Sequence, residues 1–176
     1  FFIIDEINRG NLSKIFGELL QLIEKDYRGL KVVLAGDGSA FSVPSNLYII
    51  GMMNTADRSL AMIDYALRRR FSFFEMSPAF ASKGFSEYQK SLQSKVLDAV
   101  IKCITDLNKE IAKDDSLGNG FCVGHSYFCN LQKCTKERIE ELVEYEIVPM
   151  LQEYWFDDKE KFNKWKEILR RAVNEE

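Results

Sequence analysis

Asp5 and Glu6 are adjacent carboxylates that follow four apolar residues, Phe1-Phe2-Ile3-Ile4, and precede Ile7-Asn8-Arg9-Gly10. An apolar run that ends abruptly in acids reads as a strand buried on both faces whose C-terminal tip emerges into a polar site. Ligand sites of open α/β sheets lie at such tips. Neighbouring side chains on a strand face opposite ways, so the two acids would do different work. Asp5 would hold a Mg²⁺ ion through its water shell, and Glu6 would polarise an attacking water. That division of labour suits phosphoryl transfer. A strand that merely ends in Asp-Glu before a turn is the competing reading, and the residues downstream decide between the two.

The second polar group is Asn54. It ends the nearly continuous apolar run Asn46-Leu47-Tyr48-Ile49-Ile50-Gly51-Met52-Met53, which suits another fully buried strand. The run delivers Asn54 to the same sheet edge as Asp5 and Glu6, followed by the polar loop Thr55-Ala56-Asp57-Arg58-Ser59. A short helix through Leu60, Ile63, Tyr65 and Leu67 then leads into Arg68-Arg69-Arg70, and Phe71-Ser72-Phe73-Phe74-Glu75-Met76 reads as a third buried strand. Planar guanidinium groups at that place could neutralise developing phosphate charge. An arginine paired with Asp57 or Asp64 to hold the helix is the plainer role, expected for at least one of the three.

The elements that must position these groups follow from periodicity. Asn11 is a plausible N-cap, and Leu12, Ile15, Phe16, Leu19, Leu20 and Ile23 recur at helical spacing up to a stop at Gly29. Leu30–Leu34 and Ala40–Val43 flank Gly36-Asp37-Gly38-Ser39, which predicts a β-hairpin. Three strand candidates separated by helices imply a parallel sheet. Beyond Ser77-Pro78 no strand pattern persists. Leu92, Val96, Val100, Ile104, Leu107 and Ile111 mark a long helix, Thr135 caps a further one with Pro149 as a kink or restart, and Asp157 with Glu160 makes a capping box for the last. The expected organisation is an α/β part over residues 1–78 and an all-α part over 79–176.

Composition narrows the function classes. At 176 residues and 46% hydrophobic content the chain can bury a sizeable core, and a net charge of −3 argues against a surface devoted to nucleic acid. No apolar run reaches the roughly 20 residues of a membrane span, and the start lacks signal-peptide architecture. The four cysteines, Cys103, Cys122, Cys129 and Cys134, sit in a chain too well cored to need staples, so a reducing cytoplasm is expected. Cys122, His125, Cys129 and Cys134 bring two zinc-ligand types together, but without a tight Cys-x-x-Cys knuckle. Their spacing favours buried thiols over a metal.

The order Phe-Ile-Ile-Asp-Glu-Ile-Asn-Arg, Ile-Ile-Gly-Met-Met-Asn-Thr-Ala-Asp-Arg-Ser, Asp-Tyr-Ala-Leu-Arg-Arg-Arg-Phe and Gly-His-Ser-Tyr-Phe resembles the AAA+ module of the McrB family, closely over residues 1 to about 80 and more loosely beyond. Members are motor subunits of 5-methylcytosine-dependent restriction systems. The resemblance implies a partial P-loop-type α/β fold with an α-helical lid. Asp5 and Glu6 then correspond to the Walker B magnesium and base pair, with Asp5 the metal-side residue, and Asn54 to sensor one. Asn54 to Asp57 coincides with an element proposed for guanine recognition, although a strand tip beside two carboxylates suits phosphates better than a base. Arg69 and Arg70 are implied as arginine-finger candidates reaching a neighbouring subunit's nucleotide, and His125 has two readings, facing the nucleotide or belonging to an ordered turn whose Tyr127 and Phe128 complete the lid core.

The same resemblance implies GTP, or ATP, with Mg²⁺ as cofactors. It implies self-association into a ring of hexamer type, a McrC-type nuclease partner, and DNA as cargo of the whole complex, with no membrane. The Gly-x-x-x-x-Gly-Lys-[Ser/Thr] phosphate loop of this class has no counterpart, since no Gly-Lys dipeptide occurs. The expectation is a C-terminal portion of a motor, inactive alone, whose sheet leaves edges and an apolar face uncovered. An ATP-driven remodelling protein of the MoxR or dynein-related type, or a non-catalytic scaffold lending Arg69 or Arg70 to a partner, are the alternatives.

Overall fold

The computed structural model describes residues 1–56, 65–131 and 134–174, with the side chains of Ala66 and Leu67 outside that set. The chain forms two compact units, Phe1–Glu75 and Met76–Glu176. The first is α/β and the second helical, with a parallel strand pair in the former.

In the first unit, β1 (Phe2–Ile4) pairs in parallel with β4 (Ile49–Gly51) in the register Phe2↔Ile49, Ile3↔Ile50 and Ile4↔Gly51. Between them lie α1 (Leu12–Phe16), a 3₁₀ stretch over Gly17–Ile23, and the hairpin strands β2 (Val32–Val33) and β3 (Ala40–Phe41). The hairpin is the one expected, antiparallel with Val32↔Phe41 and Val33↔Ala40. Asn11 caps α1 as anticipated, its side chain accepting from the Lys14 amide at 2.9 Å. The helical pattern through Ile23 does not continue as α-helix, because Gly17 adopts φ +47° and ends it. Ile7 and Leu12 form the centre of a small core with Ile4, Phe16, Leu20 and Phe71 against them.

Two sequence expectations for this unit fail. The strands are not buried on both faces: Phe2 is 52% exposed, Ile3 59% and Ile50 44%. Nor do residues 71–76 form a third strand. Phe71 packs on the small core, but Phe73, Phe74 and Met76 are exposed. Aromatic residues supply strand propensity, yet propensity becomes a strand only when a neighbour accepts the ladder bonds.

The second unit comprises α3 (Lys83–Leu92), α4 (Lys95–Lys113), α5 (Lys136–Leu142), α6 (Val148–Tyr154) and α7 (Lys159–Asn174), preceded in the first unit by α2 (Tyr65–Arg68). The single helix expected through Leu92 and Ile111 is two. Gln93 turns left-handed at φ +49°, and Ser94 restarts the chain by accepting from the Leu97 amide. Leu97, Val100, Ile104, Leu107 and Ile111 recur along one face of α4 and are wholly buried, with Leu169 of α7, Ile139, Ile147 and Leu151 in the same core.

Thr135 caps α5 through the Arg138 amide. Pro149 sits in the first turn of α6, which follows a π turn over Val143–Ile147, so the run restarts there as expected. The expected Asp157–Glu160 box is one residue off. Asp158 is the residue whose carboxylate accepts from the third amide on, that of Lys161, at 2.9 Å. Among the described residues no helix is long and apolar enough to cross a membrane.

Candidate functional site

Parallel pairing with Ile4 opposite Gly51 brings the C-terminal tips of β1 and β4 together. The Met52 amide donates to Ile4 O and the Ile7 amide returns to Met52 O, both at 2.9 Å, so the Asp5-Glu6 corner is bracketed from the second strand. The tight fit depends on Gly51: a Cβ there would lie 2.7 Å from Ile7 Cδ1 and 3.2 Å from its Cγ2. Ile7, the first buried residue after the acids, thereby fixes where the corner sits.

Glu6 occupies the left-handed region, φ 51° and ψ 44°. A non-glycine residue pays about 1–2 kcal/mol for that conformation, and such residues cluster where a side chain must be aimed. Its amide donates to Asp5 Oδ1 at 2.9 Å. Its carboxylate receives Arg9 Nε at 2.6 Å, an exposed pair one turn on. Asp5 is exposed and keeps its second carboxylate oxygen clear of that bond.

Asn54 follows β4 at the same end and is exposed, its Oδ1 accepting from the Ala56 amide at 3.0 Å in a turn of its own. The two tips are joined by a residue that sequence reasoning assigned only to a turn. Asn8 is 7% exposed, its Nδ2 donates to Asn54 O at 3.5 Å, and its Oδ1 is buried with no partner among the described residues. Such an orphaned acceptor is uncommon. Asp57 lies outside the described residues.

The arginine triplet divides. Arg70 Nη2 pairs with Glu24 Oε1 at 2.7 Å, with side-chain exposures of 18% and 38%. Glu24 follows directly on the 3₁₀ stretch, and Asp57 and Asp64 lie outside the described residues. Arg68 stands over the Phe73 ring, its Cζ 5.9 Å from the centroid. Arg69 is exposed.

In the second unit, His125 Nδ1 accepts from the Ala79 amide at 3.1 Å, and the half-buried imidazole meets Phe80 and Phe85 edge-on. Phe128 is wholly buried in the core, and Tyr127 packs against that core. The thiols have their own acceptors: Cys122 Sγ donates to Asn108 O and Cys129 Sγ to His125 O. Among the described residues no group of three or more His, Cys, Asp or Glu is placed to hold a metal ion by itself. Asp5, an exposed carboxylate with one oxygen clear of the Glu6 amide, would suit Mg²⁺ as a single protein ligand.

Residues 1–71 match the family described as AAA domain (dynein-related subfamily), and residues 99–163 the family described as McrB, alpha-helical lid domain. The chain is 48% identical to the type IV methyl-directed restriction enzyme EcoKMcrB subunit of Escherichia coli (strain K12), over 93% of this chain and 38% of that protein. It is 31% identical to the type II restriction enzyme BsuMI component YdiS of Bacillus subtilis (strain 168), over 56% of this chain and 33% of that protein. The chain thus spans under two fifths of the length of these relatives.

Proposed function

The chain belongs to the McrB-like AAA+ proteins, an AAA α/β part followed by a helical lid, and from that premise we propose that it supplies the hydrolytic corner of a GTP-driven restriction motor. In this reading residues 1–78 belong to the motor's α/β core and 79–176 form its lid. Nucleotide and Mg²⁺, when bound, bring the phosphoryl group and the charge that neutralises it.

The chain's own residues do the rest. Asp5 would hold the ion through the carboxylate oxygen that the Glu6 amide leaves clear. Glu6 takes the proton of the attacking water. Asn54 orients that water or touches the terminal phosphate. Asp57 belongs to nucleotide binding, and Arg69 or Arg70 reaches the nucleotide of the next subunit in a ring. Glu24 already pairs with Arg70, which favours Arg69 for the reach. The ring would translocate DNA for a McrC-type nuclease.

The observation that carries this reading is the parallel register that joins the tips bearing Asp5, Glu6 and Asn54. Turnover of GTP against ATP, by a longer version of the protein that includes a phosphate loop, tests it with Glu6→Gln as control. GTP-selective turnover lost in the variant is the expected result. The match of residues 1–71 to a dynein-related AAA domain favours a second reading, ATP-driven remodelling, and ATP preference in the same assay would select it. The 176-residue chain alone is expected to turn over neither nucleotide.

A further inference from the structure

The Gly124-His125-Ser126-Tyr127-Phe128 segment is held more firmly than a surface connection requires. Asn108 of α4 grips the residue just before it from both sides, Nδ2 donating to Val123 O at 2.9 Å and Oδ1 accepting from the Val123 amide at 2.7 Å. A side-chain amide used this way reproduces a two-bond backbone bridge. On the other side, Cys129 Sγ donates to His125 O, and the Leu131 amide reaches the Tyr88 hydroxyl of α3 at 2.9 Å. What this scaffold aims is the His125 imidazole.

The ring's target is a backbone group. Ala79 is a donor here, so Nδ1 is the bare nitrogen, and the neutral ring carries its proton on Nε2. Ala79 stands where the polypeptide passes into the second unit: residues 72–77 are exposed, and burial begins with Pro78, Ala79 and Phe80. Ala79 O in turn accepts the Ser82 amide at 3.0 Å, and Ser82 caps α3 through the Phe85 amide. Phe80 and Phe85 close on each other and on the imidazole, with ring centroids 5.4, 6.2 and 5.8 Å apart. The links run without a gap from Asn108 through His125 and Ala79 to the start of α3.

We infer that His125 is a positioning residue, acting through the Ala79 amide to clamp the chain where it passes into the lid, and not a ligand of the nucleotide. The clamp ties the chain to the lid from Ala79 onward, directly after the exposed residues 72–77. This deepens the motor reading, and its kinetic arm rests on that reading, but its structural arm does not.

Two substitutions separate the nitrogens. Asn places an acceptor oxygen where Nδ1 stands and lacks a donor at the Nε2 position, whereas Gln extends an amide donor towards Nε2 and offers nothing at Nδ1. In the 176-residue chain, long-range ¹H–¹⁵N spectra are expected to show His125 protonated on Nε2. Exchange of the Ala79 amide should be slowed in the native chain and in His125→Asn, and faster by about fivefold to tenfold in His125→Gln and His125→Ala, the worth of one such bond. A ring protonated on Nδ1, or an Ala79 amide as fast in the native chain as in His125→Ala, overturns the clamp without needing any variant to work.

In the longer, nucleotide-hydrolysing protein, His125→Asn should keep kcat and KM, while His125→Gln lowers kcat with KM unchanged. Rescue by Gln and not Asn, with KM as the parameter that moves, would make His125 a nucleotide ligand and refute the inference. If the native protein hydrolyses no nucleotide, the motor reading falls, and the tautomer and the Ala79 amide still decide the clamp.

Discussion

The two units solve opposite problems. The helical one closes on itself: Leu97, Ile104, Leu107, Ile111, Phe128, Ile139, Leu151 and Leu169 are sealed in one cluster fed by five helices. The α/β one buries Ile7 and Leu12 at its centre and leaves Phe2, Ile3 and Ile50 in solvent. Yet Asp5, the left-handed Glu6 and the orphaned Asn8 oxygen all belong to the thinner unit. In the proposed motor the corner meets a phosphate and so is left open, whereas a lid can be built for rigidity alone. Stability and chemistry are therefore divided between the two.

That contrast can be broken or sharpened by measurement. The largest effect should come from chemistry without stability. Glu6→Gln in the hydrolysing protein is expected to lower turnover by about 10²–10⁴-fold while leaving the unfolding midpoint in place, and a lowered midpoint would mean that the carboxylate is a structural group. Next comes stability without chemistry. Leu107→Ala should cost about 2–5 kcal/mol in urea titrations followed by tryptophan fluorescence, while Ile50→Ala, on the open strand pair, should cost under about 1 kcal/mol. Both tryptophans, Trp155 and Trp165, lie in the helical core, so fluorescence follows that unit alone. The far-ultraviolet signal should lose part of its amplitude earlier, and coincident transitions would erase the contrast.

A smaller effect lies at the loop after α4. Asp114 accepts from Trp155 Nε1 at 3.0 Å and from Lys161 Nζ at 2.6 Å. These partners, Lys161 first, pull its carboxyl down to about 2. A lowered folded pKa stabilises above the ordinary aspartate range and is lost as pH falls through the folded value. The helical unit should therefore lose midpoint between about pH 4 and 2, and Asp114→Ala should flatten that slope while costing about 1–3 kcal/mol at neutral pH by leaving the buried indole N–H unpaired. The smallest effect has the opposite sign. Glu6→Gly should raise the stability of the α/β unit by about 1 kcal/mol through relief of the left-handed strain, seen in the early far-ultraviolet phase, and a loss there would show that the Arg9 pair outweighs the strain.

The corner was readable from the sequence because two apolar runs each ended abruptly in polar residues, and parallel pairing leaves such ends side by side. Hairpin and helix caps were readable because Gly36 to Ser39, Asn11 and Thr135 carry local chemistry that needs no tertiary partner. What escaped depended on partners distant in the chain. Glu24 could not be matched to Arg70 without knowing that the 3₁₀ segment returns to the arginines. Asn8 could not be distinguished from a turn residue without the Asn54 carbonyl beside it, and residues 71–76 carry strand composition without a neighbour to pair with. Gly17 was a missed local signal, a glycine inside a helical pattern that marks its end.

The bare strand pair also governs how the molecule behaves in bulk. Phe2, Ile3 and Ile50 stand beside strand edges whose amides and carbonyls seek partners, and a net charge of −3 supplies little repulsion to keep copies apart. Solutions of this chain should scatter light increasingly as concentration and salt rise, with a negative second virial coefficient. A lysine placed at Ile3 should reverse its sign, turning a question of architecture into one of colloid chemistry.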